Sequence, residues 1–198
     1  DAPKWLSDNQ NDLKLLADNN GYTLDIVTVK RGITYQLKEI IGTNLNRIKM
    51  SYSNDKPREK ATHFVPIEFP YSQMDKVIFA DGDYSSAQFR GERRSDDNAI
   101  GGQNTIILDI DDGWRIKEAL AFLKDKDLIA KIYTTKSHQK PKNEVVCDRF
   151  RIIMPTKTEI DLRKEEYSEM MAGVMEYFEN KPDKSCKNIS RLFFGHKG

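Results

Sequence analysis

Two rhythms of hydrophobic and polar positions run through this chain, and the switches between them mark its elements. Tyr22 to Val29 places Leu24, Ile26 or Val27 and Val29 among β-branched neighbours, and Asn46 to Tyr52 alternates polar and apolar at period two. Both patterns predict strands, as does His63 to Phe69. Ser7 to Asn19 carries Leu13, Leu15, Leu16 and Ala17 behind a Ser/Asp-rich start and closes on Asn20-Gly21, which predicts a helix. Tyr35 to Ile41 fits a strand or a short helix equally. Ser53 to Thr62 is a polar tract interrupted by Pro57 and reads as an exposed loop. Residues 81–102 hold Gly82, Gly91, Gly101 and Gly102 beside Arg90, Arg93 and Arg94, with few apolar positions. The expectation there is a long connection that builds no core of its own, of a length at which connections are functional or mobile.

The second half is more regular. Thr105 to Ile110 is an apolar strand that runs into acid, and Trp114 to Lys124 sets Ile116, Ala119, Leu120 and Leu123 at helical spacing. Leu128 to Tyr133 is strand-like again, so the order is β-α-β. Cys147 to Pro155 predicts a strand stopped by its proline, and Glu159 to Phe178 the longest helix. Ser190 to Phe194 is a short apolar strand. The fold class is therefore mixed α/β (α+β).

A chain of 198 residues is enough for one domain, or one with an appended lobe. With 38% hydrophobic and 10% aromatic residues it has too much core-forming material for a disordered segment. The 32 Lys and Arg stand against 31 Asp and Glu, so any basic binding surface must be local rather than global. Two cysteines without a CxxC pattern read as free thiols in a reducing compartment, and Cys147, Cys186, His138 and His196 lack zinc-ligand spacing, so no zinc is expected. No run reaches the ~18 apolar residues of a membrane span and no signal-like start precedes Trp5, which points to a cytoplasmic protein without a membrane partner. The start without Met and the end at His196-Lys197-Gly198 read as a piece of a longer protein.

Candidate chemistry gathers in the second half. On a strand, residues two apart share a face, so Asp109 and Asp111 of Ile106-Ile-Leu-Asp-Ile-Asp-Asp-Gly113 project together. Two such carboxylates repel unless a cation lies between them, and magnesium or manganese would suit their hard oxygens. The alternative is a strand end followed by a turn and helix cap, with Asp112 as the capping or turn residue. Thr135, Lys136, Ser137 and His138 follow the next strand with short donors and cations suited to polyphosphate, or form an ordinary polar loop. Arg149 and Arg151 share a strand face opposite Phe150 and Ile152, suited to phosphate oxygens or to guarding an edge strand. Residues 131–157 hold seven Lys and Arg against two acids, which locates the basic surface. Asp183 and Arg191 could enter the same cleft from the last turn and strand.

In this order, a strand with Asp109-x-Asp111, the loop Lys136-Ser137-His138, the strand with Arg149-Phe-Arg151, then Asp183 and Ser190-Arg191-Leu-Phe resemble the archaeo-eukaryotic primase superfamily. The phrases Thr134-Thr-Lys-Ser-His138 and Asp148-Arg-Phe-Arg-Ile-Ile-Met-Pro155 look most like its plasmid, phage and mobile-element branch. The resemblance covers about residues 105–194. It implies a catalytic core with an RRM-like palm sheet flanked by helices over 81–198, and 1–80 as an N-terminal lobe of the same unit. It further implies a DNA primase-polymerase transferring nucleotides from NTPs or dNTPs on a single-stranded template, with or without a primer, and a fused or separate helicase as partner. Asp109, Asp111 and Asp183 would hold two magnesium or manganese ions, and Lys136, Ser137, His138, Arg149, Arg151 and Arg191 would bind the nucleotide. The Arg-rich stretch 90–94 would lie near the template. Two other readings stand beside it. One is a non-catalytic replicon protein that binds nucleic acid through Lys136, Lys140, Arg149 and Arg151. The other is a haloacid-dehalogenase-type phosphatase with a strand-end acid pair, although that family wants Gly and then Thr or Val directly after the second acid, whereas here Asp112 intervenes and Trp114 follows Gly113.

Overall fold

In the computed structural model the described residues are 47–56, 61–101, 103–142 and 144–195, the side chains of 157 and 158 excepted, together with the backbone of 23–29 and 32–38. The helix expected over Ser7 to Asn19 lies outside them. Strands β1 (Thr23–Val29) and β2 (Gly32–Lys38) pair as an antiparallel hairpin, so the ambiguous segment around Tyr35 is a strand.

Two sheets organise the remainder. Strands β3 (Ile48–Ser53), β4 (Val65–Phe69) and β5 (Asp83–Ser85) join β11 (Phe193–Phe194) in the order β11-β5-β3-β4, and α1 (Met74–Ile78) lies between β4 and β5 in sequence. This sheet draws strands from before and after residue 80. Short β6 (Gln88–Phe89) and β7 (Ala99–Ile100) form a separate ribbon. The second sheet has β8 (Gln103–Ile110), β9 (Lys131–Thr134) and β10 (Phe150–Ile160) in the order β8-β10-β9, with β10 antiparallel to both neighbours. Helix α2 (Ile116–Asp125) connects β8 to β9, and β10 fills the gap between them, a split β-α-β arrangement. Helix α3 (Lys164–Tyr177) follows.

Strand periodicity then divides the core in two. Ile106, Leu108 and Ile110 of β8 and Phe150, Ile152 and Met154 of β10 pack with Ala119 and Leu123 of α2 and with Met170, Met171 and Val174 of α3. Ile107 and Ile153 face the other way, against Ile48, Met50, Met74, Tyr84 and Phe193. The odd-numbered face is therefore the one turned toward the four-stranded sheet, and Asp109 and Arg151 lie on it.

Several sequence expectations change. The stretch 81–102 is no coreless connection: Tyr84, Ala87 and Phe89 are buried, and β5 is an interior strand paired on both sides. Its strands are two or three residues long, too short to show a period, and its buried Asp83, Ser85 and Ser86 mask it as loop. Strand β10 does not stop at Pro155 but continues to Ile160 through a register shift. Its partner β9 pairs only as far as Ile153, so Pro155 sits where one strand edge is open and a missing N–H does no harm. Helix α3 accordingly starts at Lys164, not Glu159. Asp112 does not cap α2. The chain turns at Gly113 (φ 67°), buries Trp114 and starts the helix afterwards, where Asp148 Oδ2 accepts the Ile116 N–H at 2.9 Å and Glu118 that of Arg115 at 3.1 Å.

At the far end, Gly195 closes onto β5's approach. Its N–H donates to the Gly82 carbonyl at 3.0 Å, and a Cβ there would meet that oxygen at 2.5 Å. Only glycine lets the last segment come this near. Among the described residues, no helix is long and apolar enough to cross a membrane.

Candidate nucleotide and metal site

Cross-strand register creates the centre of the site. Arg151 of β10 lies directly opposite Asp109 of β8, so period two places a cation and a carboxylate side by side on the face toward the four-stranded sheet. Arg151 Nε donates to Asp109 Oδ1 at 3.3 Å, and Arg191 Nη2 donates to Oδ2 at 3.3 Å. Asp109 is thus buried between two arginines.

The two arginines differ in their surroundings. Arg151 is 9% exposed and its Nη1 donates to Tyr84 Oη at 3.1 Å and to the Phe194 carbonyl at 2.8 Å. Its guanidinium also lies over the stacked rings of Phe193 and Tyr84, 5.2 and 5.9 Å from their centroids. Burial works against its charge, but Tyr84 and Asp109 outweigh that and hold its pKa above the usual arginine value. Burial likewise pushes up the Tyr84 phenol, so Tyr84 stays a neutral hydrogen-bonding partner. The Arg191 side chain is 30% exposed, and its guanidinium borders an open cavity.

That cavity, of about 460 Å³, is lined by Asp109, Asp111, Arg94, Lys142, Arg151 and Arg191, with Thr135, Ser137, Ser185, Asn188 and Ser190 among its hydroxyl and amide groups. Four cationic side chains face two carboxylates, a surplus of positive charge. Asp111, just past the end of β8, pairs with Lys142 Nζ at 2.9 Å. It also lines a neighbouring cavity of about 400 Å³ with Arg149, Lys181, Asp183 and Lys184.

Asp183 reaches the strand end by its backbone: its N–H donates to the Asp109 carbonyl at 2.8 Å. Its carboxylate turns into the neighbouring cavity and caps a 3-10 turn, where Oδ1 accepts the Ser185 N–H at 2.7 Å and the Ser185 hydroxyl. Burial raises its pKa, but the Ser185 donors and the charges of Arg191 and Lys142 prevail and lower it. Next to it, Cys186 Sγ accepts the Asp109 N–H at 3.2 Å, and burial pushes its thiol up to about 11.

The other predicted residues separate. Ser137 lines the larger cavity, whereas Lys136 is exposed and lines neither. His138 also lines neither; its Nδ1 accepts the Arg149 N–H at 3.2 Å. Arg149 precedes β10, and its guanidinium donates to four carbonyls: Asp111 at 3.1 Å, Ser137 at 2.9 Å, Lys140 at 2.7 Å and Val145 at 3.0 Å. At 2% exposure it ties the 135–147 loop to the strand end. Arg149→Met is therefore expected to cost about 3 kcal/mol, since it strands several carbonyls at once. Lys136→Ala should stay within about 0.5 kcal/mol of wild type, and urea unfolding of both variants measures the contrast.

Sequence reasoning missed Arg94, Asn188 and Cys186 as parts of the site. Arg94 stood within the Arg-rich stretch and Asn188 within the last turn, but nothing in the sequence aims them at Asp109. Asp109 and Asp111 offer one cavity the hard oxygen donors that magnesium and manganese take. Among the described residues no three His, Cys, Asp or Glu side chains assemble into a metal-holding group, and His196 lies outside them.

No family model matches the chain, and no curated protein matches it. Among solved structures it is similar to the archaeo-eukaryotic primase domain of the cyanophage S-2L primase-polymerase. That likeness has a TM-score of 0.40 at 13% identity, over 76% of this chain and 73% of that one.

Proposed function

We propose that this chain is a nucleotidyltransferase of the primase-polymerase kind, which adds nucleotides from NTPs or dNTPs to a strand templated by single-stranded DNA. The observation that carries the reading is the larger cavity, where Asp109 and Asp111 share a wall with four cationic side chains and a row of hydroxyls. A triphosphate with its divalent cation needs both signs of charge within reach, carboxylates for the metal and cations for the phosphate oxygens. The motif order along the chain supports the same reading. So does the β8-α2-β9-β10-α3 succession with β10 between β8 and β9, which is consistent with three strands of an RRM-like palm.

Asp109 and Asp111 fit a divalent cation by donor type and shared wall, with Lys142 and Arg191 yielding their carboxylate contacts to it. When bound, such a metal would polarise the phosphates and lower the charge barrier to attack. Asp183 would join only by leaving Ser185. The chain's own contributions are positional. Arg151 is fixed by Tyr84, Phe194 and the aromatic pair, so it orients Asp109 rather than the nucleotide. Arg191 and Lys142, less buried than Arg151, are cations of the same wall that can meet phosphate oxygens. Arg149 shapes the loop that presents Thr135 and Ser137.

The test is incorporation of labelled nucleotides on single-stranded DNA with magnesium or manganese, with and without a primer. Product without primer supports a primase, and product only with primer a polymerase. No product under either condition, with metal-independent DNA binding retained, would replace this reading with that of a nucleic-acid-binding protein.

A further inference from the structure

The segment between β6 and β7 enters the cavity through one side chain. Arg94 lines it beside Asp109 and Arg191, far from both in sequence. Its backbone N–H donates to the Thr62 carbonyl at 2.9 Å, its guanidinium lies 5.8 Å from the Phe64 ring centroid, and its Nη1 donates to the Ser190 carbonyl at 3.1 Å. The turn it holds is the one that carries Arg191. Ser190 Oγ donates to Asp96 Oδ1 at 2.5 Å, the Ser190 N–H donates to Asn188 Oδ1 at 2.8 Å, and Lys164 pairs with Asp96 at 3.2 Å. Arg94 and Arg191 are thereby fixed on one turn, facing one cavity.

Their hydrogen bonding is incomplete in the same way. Nε of Arg94 and Nε of Arg191 are both buried and without a hydrogen-bond partner among the described residues. An unpaired donor is costly, and two guanidiniums on one cavity wall that the described residues supply with few acceptors suit an acceptor from outside the chain. Arg151 is not in this position, since Asp109, Tyr84 and Phe194 take its donors. Two arginines with remaining donors beside Lys142 suit a ligand carrying several anionic oxygens.

We infer that Arg94 is a phosphate-binding residue of the nucleotide site, acting with Arg191, and not a template contact of the stretch 90–94. The inference rests on the nucleotide reading above and adds to it a residue from the segment before β8. Asp96, acting through Ser190, is a positioning residue that keeps the two guanidiniums together.

The test uses sodium tripolyphosphate with magnesium as probe, and reads both its affinity by calorimetry and the rise in thermal midpoint that it causes. Arg94→Ala is expected to weaken the probe about tenfold or more, Arg94→Lys less so, and the probe-dependent rise in midpoint should shrink in step. Ser190→Ala should weaken the probe less than Arg94→Ala does. If Arg94→Ala lowers the unliganded midpoint yet binds the probe as wild type does, while Arg191→Ala binds it weakly, Arg94 only supports the fold and the inference is overturned. Should Arg94→Ala fail to fold, Arg94→Lys with wild-type affinity and the same full probe-dependent rise overturns it equally. No binding by the wild-type chain removes the nucleotide reading itself, and the Arg94 inference with it.

Discussion

Replacing Arg151 with methionine is expected to destabilise the chain by about 3–5 kcal/mol, the usual cost of removing one member of a buried ion pair. Methionine keeps some of the bulk against Phe193 and Tyr84 but supplies no donor. Asp109, itself 7% exposed, then keeps Arg191 as its ion-pair partner among the described residues, and the Tyr84 hydroxyl and the Phe194 carbonyl each lose one donor. For a domain of this size the loss corresponds to a fall in thermal midpoint of roughly 6–20 °C. A second substitution separates charge from shape. Asp109→Leu added to Arg151→Met removes the stranded carboxylate and should recover part of the midpoint, because a buried pair replaced on both sides is often close to neutral. If the double variant is as unstable as the sum of the singles, the packing of Arg151 on its two rings matters more than its pairing. Scanning calorimetry on the two single variants and the double variant decides.

Asp111→Asn should have the opposite profile, an intact fold with lost activity. Its carboxylate is part-exposed and its ion pair with Lys142 joins two solvated side chains, an arrangement worth about 0–1 kcal/mol. Asparagine preserves the shape, and the Asp111 carbonyl still accepts from Arg149. The thermal midpoint should therefore stay within a few degrees of wild type, while nucleotide incorporation falls by roughly 10²-fold or more, as when a charge-stabilising group is removed from a reacting centre. Primer-extension rates beside the midpoint give both halves of the result. A variant that folds and incorporates normally would remove Asp111 from the site.

The contrast between these two aspartates marks how far the sequence was legible. Strand alternation is local, so the letters alone put Asp109 and Asp111 together, and both line the larger cavity although Asp111 lies just past the end of β8. The β8, α2, β9 succession was readable for the same reason, because each element is long enough to display its period. What the letters could not disclose is register. Arg149 and Arg151 look equivalent in sequence, yet the register sets Arg151 against Asp109, whereas Arg149 precedes the strand and turns to four loop carbonyls. Nor does any periodicity survive in β5 and β11, of three and two residues, which depend wholly on distant partners. Arg94 was hidden by the same cause, since its place follows from contacts with Thr62 and Ser190 rather than from its neighbours.

The pairing of β5 with β11 also bears on how the molecule is made. Tyr84 of β5 is matched with Phe193 of β11, so one side of β5 waits for roughly a hundred further residues to leave the ribosome. At ~5–20 residues per second that interval is about 5–20 s, during which β5 and the aromatic face of Tyr84 form an open edge. Arg151 is synthesised within the same interval, and it too waits for Phe193 and the Phe194 carbonyl. Nascent chains halted shortly before residue 193 should therefore be held by chaperones and cut readily by protease, with the carboxylate pocket among the last parts of the molecule to set.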